Sequence, residues 1–188
     1  RSRYGKKINT PKGKVGSYIT KYSPSGTIKW LNSIQMPNTN SSDMKSTIYS
    51  VTTDKYGNIY VTGSVYDLSQ NVYYYQNNGD SILISNIKYH NSYVDKTFIL
   101  KLDSLGHYIW HAELFNIISI YLKADSNGNL LAYGISGKSP SSTIIYRQNG
   151  FTDSCFAFTN KKIDQIGYSL QNYVLRINEN GSLKWFTF

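Results

Sequence analysis

The 188-residue chain has one cysteine, Cys155, so no disulfide can form within it and oxidative staples play no part in its fold. No run of about 18 apolar residues occurs, which leaves no transmembrane helix in the sequence. Helical periodicity is nearly absent as well. Glu113 and Glu179 are the only glutamates, and residues 1–42 contain no acid at all. Paired carboxylates, a Ser/His/Asp signature and a Gly-rich phosphate loop are all missing, so no enzyme is predicted. Neither Met nor a signal-like segment opens the sequence at Arg1, which points to a processing point or to a boundary within a longer polypeptide.

What is present excludes a disordered chain: 40% of the residues are hydrophobic and 15% aromatic, enough to bury a core. The abundance of Tyr, Ile, Thr, Ser and Asn suits strands and turns, and an all-β protein is predicted. Charge is uneven. Eight bases in residues 1–42 account for most of the net +9, and the rest of the chain is nearly balanced. Six of the eight (Arg1, Arg3, Lys6, Lys7, Lys12 and Lys14) lie in an N-terminal arm, residues 1–16. Gly5, Pro11, Gly13 and Gly16 give that arm the punctuation of a linker. As a contact, it would meet an anionic glycan, nucleic acid or the acidic face of a partner protein.

The dominant signal is repetition. Residues 17–30 (SYITKYSPSGTIKW) return as 97–110 (TFILKLDSLGHYIW) and 172–185 (NYVLRINENGSLKW), spaced by 80 and then 75 residues. The copies share an aromatic (Tyr18, Phe98, Tyr173), a base (Lys21, Lys101, Arg176), a glycine (Gly26, Gly106, Gly181) and a closing Trp30, Trp110 and Trp185. Alternating apolar and polar residues flank each glycine-bearing turn, the pattern of a β-hairpin. A second hairpin alternates with the first: residues 51–64 (VTTDKYGNIYVTGS) match 122–135 (LKADSNGNLLAYGI). One of each makes a four-stranded antiparallel unit, and self-similarity at this scale means an array of such units.

The repeat predicts a half-unit at 17–34, a unit at 48–115 interrupted by an insertion at 65–96, and a unit at 119–188 interrupted at 136–171. The two insertions are themselves related, since residues 75–79 (YQNNG) resemble 146–150 (YRQNG). Repeat insertions gather on one face of an array. Tyr73, Tyr74, Tyr75, Tyr146 and Arg147 are therefore the predicted partner-binding residues. The three tryptophans and three glycines are predicted to be packing anchors, with sugar stacking the alternative for Trp. The bases Lys21, Lys101 and Arg176 are expected to stack on Tyr18, Phe98 and Tyr173.

These residues resemble the seven-bladed β-propeller repeat family, the SBBP-type repeats of many cell-surface and secreted proteins. The family's Asp-x-x-Gly-Asn-h-Tyr-Val-Thr-Gly half is matched by Asp54, Gly57, Asn58, Tyr60, Val61, Thr62 and Gly63, and its other half by Lys101, Gly106 and Trp110. The second copy departs from it at Ala132-Tyr133. The resemblance implies propeller blades, of which this chain carries about two and a half. Ring closure takes four to eight, so further blades or other chains are expected to complete it.

The Asp-rich turns at 54–58 and 125–129 carry oxygen ligands at close spacing, but they lack a downstream acidic ligand and read as hairpin turns. His90, His107 and His111 show no metal spacing. Cys155, in an apolar strand-like run, reads as an inert thiol. No cofactor is implied. The sequence thus predicts a non-enzymatic structural or interaction module displaying a Tyr/Asn-rich insertion face, with a virion or cell surface as its expected place. The alternatives are a glycan-binding, lectin-like propeller and a lyase or hydrolase with its site in the propeller channel.

Overall fold

The structure, a computed structural model, describes residues 16–35, 45–66, 71–85, 96–115, 117–136, 143–148, 152–158 and 171–187. The described residues are all β, with no helix. Fourteen strands follow one another: β1 (Gly16–Tyr22), β2 (Ile28–Gln35), β3 (Lys45–Thr53), β4 (Ile59–Tyr66), β5 (Val72–Tyr75), β6 (Ser81–Ser85), β7 (Lys96–Leu102), β8 (Tyr108–Phe115), β9 (Ile117–Ala124), β10 (Leu130–Ser136), β11 (Thr143–Gln148), β12 (Thr152–Phe158), β13 (Gln171–Ile177) and β14 (Leu183–Thr187). They form a four-stranded sheet β1-β2-β5-β6, a six-stranded sheet β3-β4-β7-β8-β11-β12 and a four-stranded sheet β9-β10-β13-β14.

The strand order explains the repeat. Blade 2 is β3-β4-β7-β8 and blade 3 is β9-β10-β13-β14, both meanders of antiparallel neighbours. Blade 1 is represented by its two outer strands, β1 and β2. The insertions are hairpins, and each adds itself to the outer edge of the blade before its own: β5 pairs with β2, and β11 pairs with β8. Their registers are equivalent. Tyr75 stands opposite Ser33 and Tyr146 opposite Glu113, positions that correspond in the repeat.

Local sequence sets these elements. Hairpin loops close by one device, in which the glycine amide donates to the carbonyl three residues earlier and the glycine takes a left-handed conformation, as at Gly106 with φ 86. That is a type I turn followed by a bulge residue. A first-position side chain reinforces it: Asp54, Asp103 and Asp125 each accept two backbone N–H bonds through Oδ1. The oxygen pairs that resembled ligands are thus spent on turn geometry, and Asn58 and Tyr60 also donate to Asp54 Oδ2. Gly63 serves a different end. A Cβ there would lie 2.0 Å from the Thr47 carbonyl oxygen and 2.7 Å from Phe98 Cζ, so the ring of Phe98 covers the strand only because the glycine is bare.

The core lies between blades rather than within one, because alternate residues of each strand point to opposite neighbours. Trp30 and Ile34 from blade 1 pack with Ile59, Val61, Val65, Phe98, Leu100 and Leu102 of blade 2 and with Val72, Tyr74 and Ile84 of the first insertion hairpin. Tyr60, Ile99, Trp110, Ala112 and Leu114 pack on Leu122, Leu130, Ala132, Tyr173, Leu175 and Ile177 of blade 3. No helix among the described residues is long and apolar enough to cross a membrane.

Candidate functional site

Two constellations come from the repeated residues, a junction that joins each blade to the next and an open blade face. The junction begins with a base standing directly across the hairpin from a tryptophan: Lys21 opposite Trp30, Lys101 opposite Trp110, Arg176 opposite Trp185, with a bulge one residue on. At the first junction Lys21 Nζ and Trp30 Nε1 both donate to the Ser104 carbonyl oxygen, at 2.7 and 3.3 Å. The second junction repeats this with Lys101 Nζ and Trp110 Nε1 on the Glu179 carbonyl oxygen, at 2.8 and 2.9 Å. Each acceptor lies in the turn of the following blade, two residues before its glycine.

Those glycines let the turn approach. A Cβ on Gly106 would sit 2.9 Å from the Trp30 ring, and one on Gly181 would sit 3.0 Å from the Trp110 ring. The positive φ and the close approach therefore demand glycine twice over. Trp30 and Trp110 are buried as a result, and Trp110 adds an edge-on contact with Tyr60 at 6.2 Å. Burial pushes the Lys101 ammonium below its ordinary pKa, with Asp54 and Glu179 opposing the shift.

The expected stacking of the bases on Tyr18, Phe98 and Tyr173 does not occur at the Lys101 position. Residues three apart on a strand point to opposite faces, so Phe98 lies in the core against blade 1 while the Lys101 ammonium lies 5.2 Å over the Tyr60 ring.

The insertion residues divide. Tyr74 is fully buried. Its hydroxyl donates to the Gly106 carbonyl oxygen at 2.8 Å and accepts from Asn32 Nδ2, which also donates to Gly106. Asn32 Oδ1 in turn receives the Asn77 amide. Burial raises the Tyr74 hydroxyl pKa well above its ordinary value. This side chain is a clasp between hairpin and blade, and as a surface contact it is corrected, because alternation on β5 turns it inward. Tyr73 and Tyr75 point the other way, half-buried, with ring centroids 6.1 Å apart. Tyr146 and Arg147 are placed on β11 opposite Glu113 and Ala112; their side chains lie outside the described residues. So do the side chain of Cys155, His90 and the arm residues Arg1, Arg3, Lys6, Lys7, Lys12 and Lys14. His107 is exposed and bonded to Asp103, and His111 is buried beside the Tyr108 hydroxyl. Among the described residues no group of three His, Cys, Asp or Glu could hold a metal ion.

The open face belongs to blade 3. Leu131, Tyr133, Val174 and Trp185 are 37, 50, 36 and 41% exposed, whereas their repeat counterparts in blade 2, Tyr60, Thr62, Ile99 and Trp110, are 0, 0, 0 and 1% exposed. Tyr121 joins them, stacked on Tyr133 at 5.2 Å and 53% exposed. Sequence reasoning passed over this face because four of its five residues, all but Tyr121, sit at positions whose counterparts are buried in blade 2. At the other end Tyr18, whose counterparts Phe98 and Tyr173 are buried, is also exposed.

Four-stranded meanders joined face to face, with a tryptophan and a glycine turn repeated at each junction, define an array of β-propeller blades. Residues 44–64, which include β3, the turn after it and most of β4, match the β-propeller repeat (SBBP) family model. No curated protein matches the chain.

Proposed function

We propose that this chain is a non-enzymatic protein-interaction module whose contact surface is the aromatic face of blade 3. The observation that carries the reading is the exposed set Tyr121, Leu131, Tyr133, Val174 and Trp185 on one side of one sheet. Scattered exposed apolar residues need no explanation, but a contiguous aromatic patch is the mark of a binding surface. Tyr and Trp contribute large contact areas with few rotamers to freeze, which suits them to recognition. The half-buried pair Tyr73 and Tyr75 on the first insertion is the remnant of the predicted display face and forms a secondary contact. In the same reading the basic arm tethers the module to an anionic glycan or nucleic acid, and its log affinity falls steeply with log salt.

The test replaces Tyr133 by the photo-cross-linker p-benzoylphenylalanine in the native source and maps the adducts by mass spectrometry. Adducts to one protein surface, at reproducible positions, are the expected result. Their absence, with the fold intact, would refute the reading.

A further inference from the structure

Three of the described hairpin turns place an Asn-Gly pair at the same two positions, and they differ in what holds the asparagine. The pairs are Asn78-Gly79, Asn127-Gly128 and Asn180-Gly181, with φ of 96, 79 and 87 at the glycines. Each asparagine is exposed, and each glycine N–H donates to the carbonyl three residues earlier, at 3.0, 3.2 and 2.9 Å. The residue that opens the turn makes the difference. Asp125 takes the Asn127 and Asn129 amides on its own Oδ1, and the Asn127 side-chain oxygen receives no hydrogen bond among the described residues. Gln76 directs its side-chain oxygen to the Tyr108 amide instead, which leaves the Asp80 amide to Asn78 Oδ1 at 3.1 Å. In the turn opened by Asn178, the Ser182 amide donates to Asn180 Oδ1 at 3.0 Å, and the Ser182 hydroxyl donates to the same oxygen. Asn180 is thus the one of the three whose carboxamide oxygen holds two donors.

We infer that Asn180-Gly181 is a self-modification site, at which the backbone closes on the side chain and ammonia is released. The Gly181 nitrogen, its proton taken by hydroxide, forms a bond to Asn180 Cγ. Negative charge develops on Oδ1, which the Ser182 N–H and hydroxyl already hold. Donors set in advance around a developing oxyanion lower the barrier to its formation. The tetrahedral intermediate then collapses: the Cγ–Nδ2 bond breaks, and Nδ2 takes a proton from water and leaves as ammonia. Water opens the resulting succinimide at either carbonyl, giving aspartate or isoaspartate. Glycine suits the attacking position because no side chain crowds its nitrogen. The glycine N–H must first leave its carbonyl partner at all three turns, so that step does not separate them, whereas the donors on Oδ1 do.

The site lies at an internal joint. The Glu179 carbonyl accepts from Lys101 and Trp110, and a Cβ on Gly181 would stand 3.0 Å from the Trp110 ring. Isoaspartate at position 180 lengthens the backbone by a methylene between those two contacts, and either product adds a negative charge. The reaction therefore loosens the joint between blades 2 and 3 as the protein ages.

The experiment incubates the folded full chain in mildly alkaline buffer and follows each Asn-Gly pair by peptide mass spectrometry that separates asparagine, aspartate and isoaspartate. Asn180 is expected to convert faster than Asn78 and Asn127, and the three rates to converge in urea, where the turns are lost. Ser182→Ala should slow conversion at Asn180 by about two- to tenfold, the worth of one hydrogen bond, and leave the Asn127 rate unchanged. Ser182→Thr, which keeps the hydroxyl, should keep the fast rate. The aged wild-type chain should melt at a lower temperature than the fresh one, whereas aged Asn180→Ser should hold its melting temperature. Conversion at Asn180 no faster than at Asn127 in the folded chain would overturn the inference. So would a rate at Asn180 unaltered by Ser182→Ala, or a chain modified at Asn180 that melts where the fresh one does.

Discussion

Replacing Trp110 by Ala should destabilise the protein far more than replacing Trp185 by Ala, although the repeat places the two at the same position. Trp110 is 1% exposed and packs between blades 2 and 3, against Tyr60 and over the bare backbone of Gly181. Truncating a buried Trp to Ala costs about 3–5 kcal/mol, through lost transfer energy and an unfilled cavity. The hydrogen bond adds little, because the Glu179 carbonyl keeps its bond from Lys101 and is not left without a donor. Trp185 is 41% exposed, so its truncation should cost about 1 kcal/mol in the monomer. For a chain of this size the Trp110→Ala loss corresponds to a fall of roughly 6–20 °C in Tm. Far-UV circular dichroism against temperature and urea measures both variants without relying on the fluorescence that the substitutions remove. Midpoints for Trp110→Ala and Trp185→Ala that differ by less than about 1 kcal/mol would refute the inter-blade packing described above.

Tyr74→Phe should destabilise by about 1–3 kcal/mol by removing the hydroxyl that joins Asn32 to the Gly106 carbonyl; an unchanged urea midpoint would contradict the clasp. Gly63→Ala should cost at least 1–3 kcal/mol, because its Cβ would collide with backbone at Thr47, and a soluble variant of wild-type stability would show that β3 can move aside. Alkali should unfold the protein cooperatively. Burial raises the hydroxyl pKa of Tyr60, Tyr74 and Tyr173 far above the ordinary 10.0 and that of Tyr108 to about 12. A raised folded-state pKa gives stability that is complete below pH 10 and lost as pH rises past it. Phenolate absorbance at 295 nm should therefore finish rising only together with the loss of circular dichroism, and its completion while the fold is intact would contradict the burial of these rings.

Much of the architecture could be read from the repeats because each repeated letter has a local cause. The glycines mark positive φ, the Asp and Asn residues mark turns that their own side chains close, and alternation marks strands. The placement of the insertions was less accessible. The relation between 75–79 and 146–150 identified them as part of the repeat, yet nothing local states that β5 leaves its own blade to pair with β2. That choice is made by strand-edge hydrogen bonding between segments distant in sequence. Tyr74 illustrates the consequence, since a run of three tyrosines reads as a surface until alternation on an added strand turns the middle one inward. The base column failed for the reason that a three-residue separation crosses the sheet. The open face of blade 3 was invisible for a simpler reason: Trp185 and Trp110 are the same letter in the same motif, and only the packing around them distinguishes a filled site from an open one.

Hydroxyl-radical footprinting of the protein in its native surroundings, compared with the dilute purified chain, tests the interaction surface most directly. The account predicts protection of Tyr121, Tyr133 and Trp185, while Tyr56 and Leu105, both 63% exposed and on turns away from that face, stay reactive in both states. Equal reactivity of Tyr121, Tyr133 and Trp185 in the two states would contradict it.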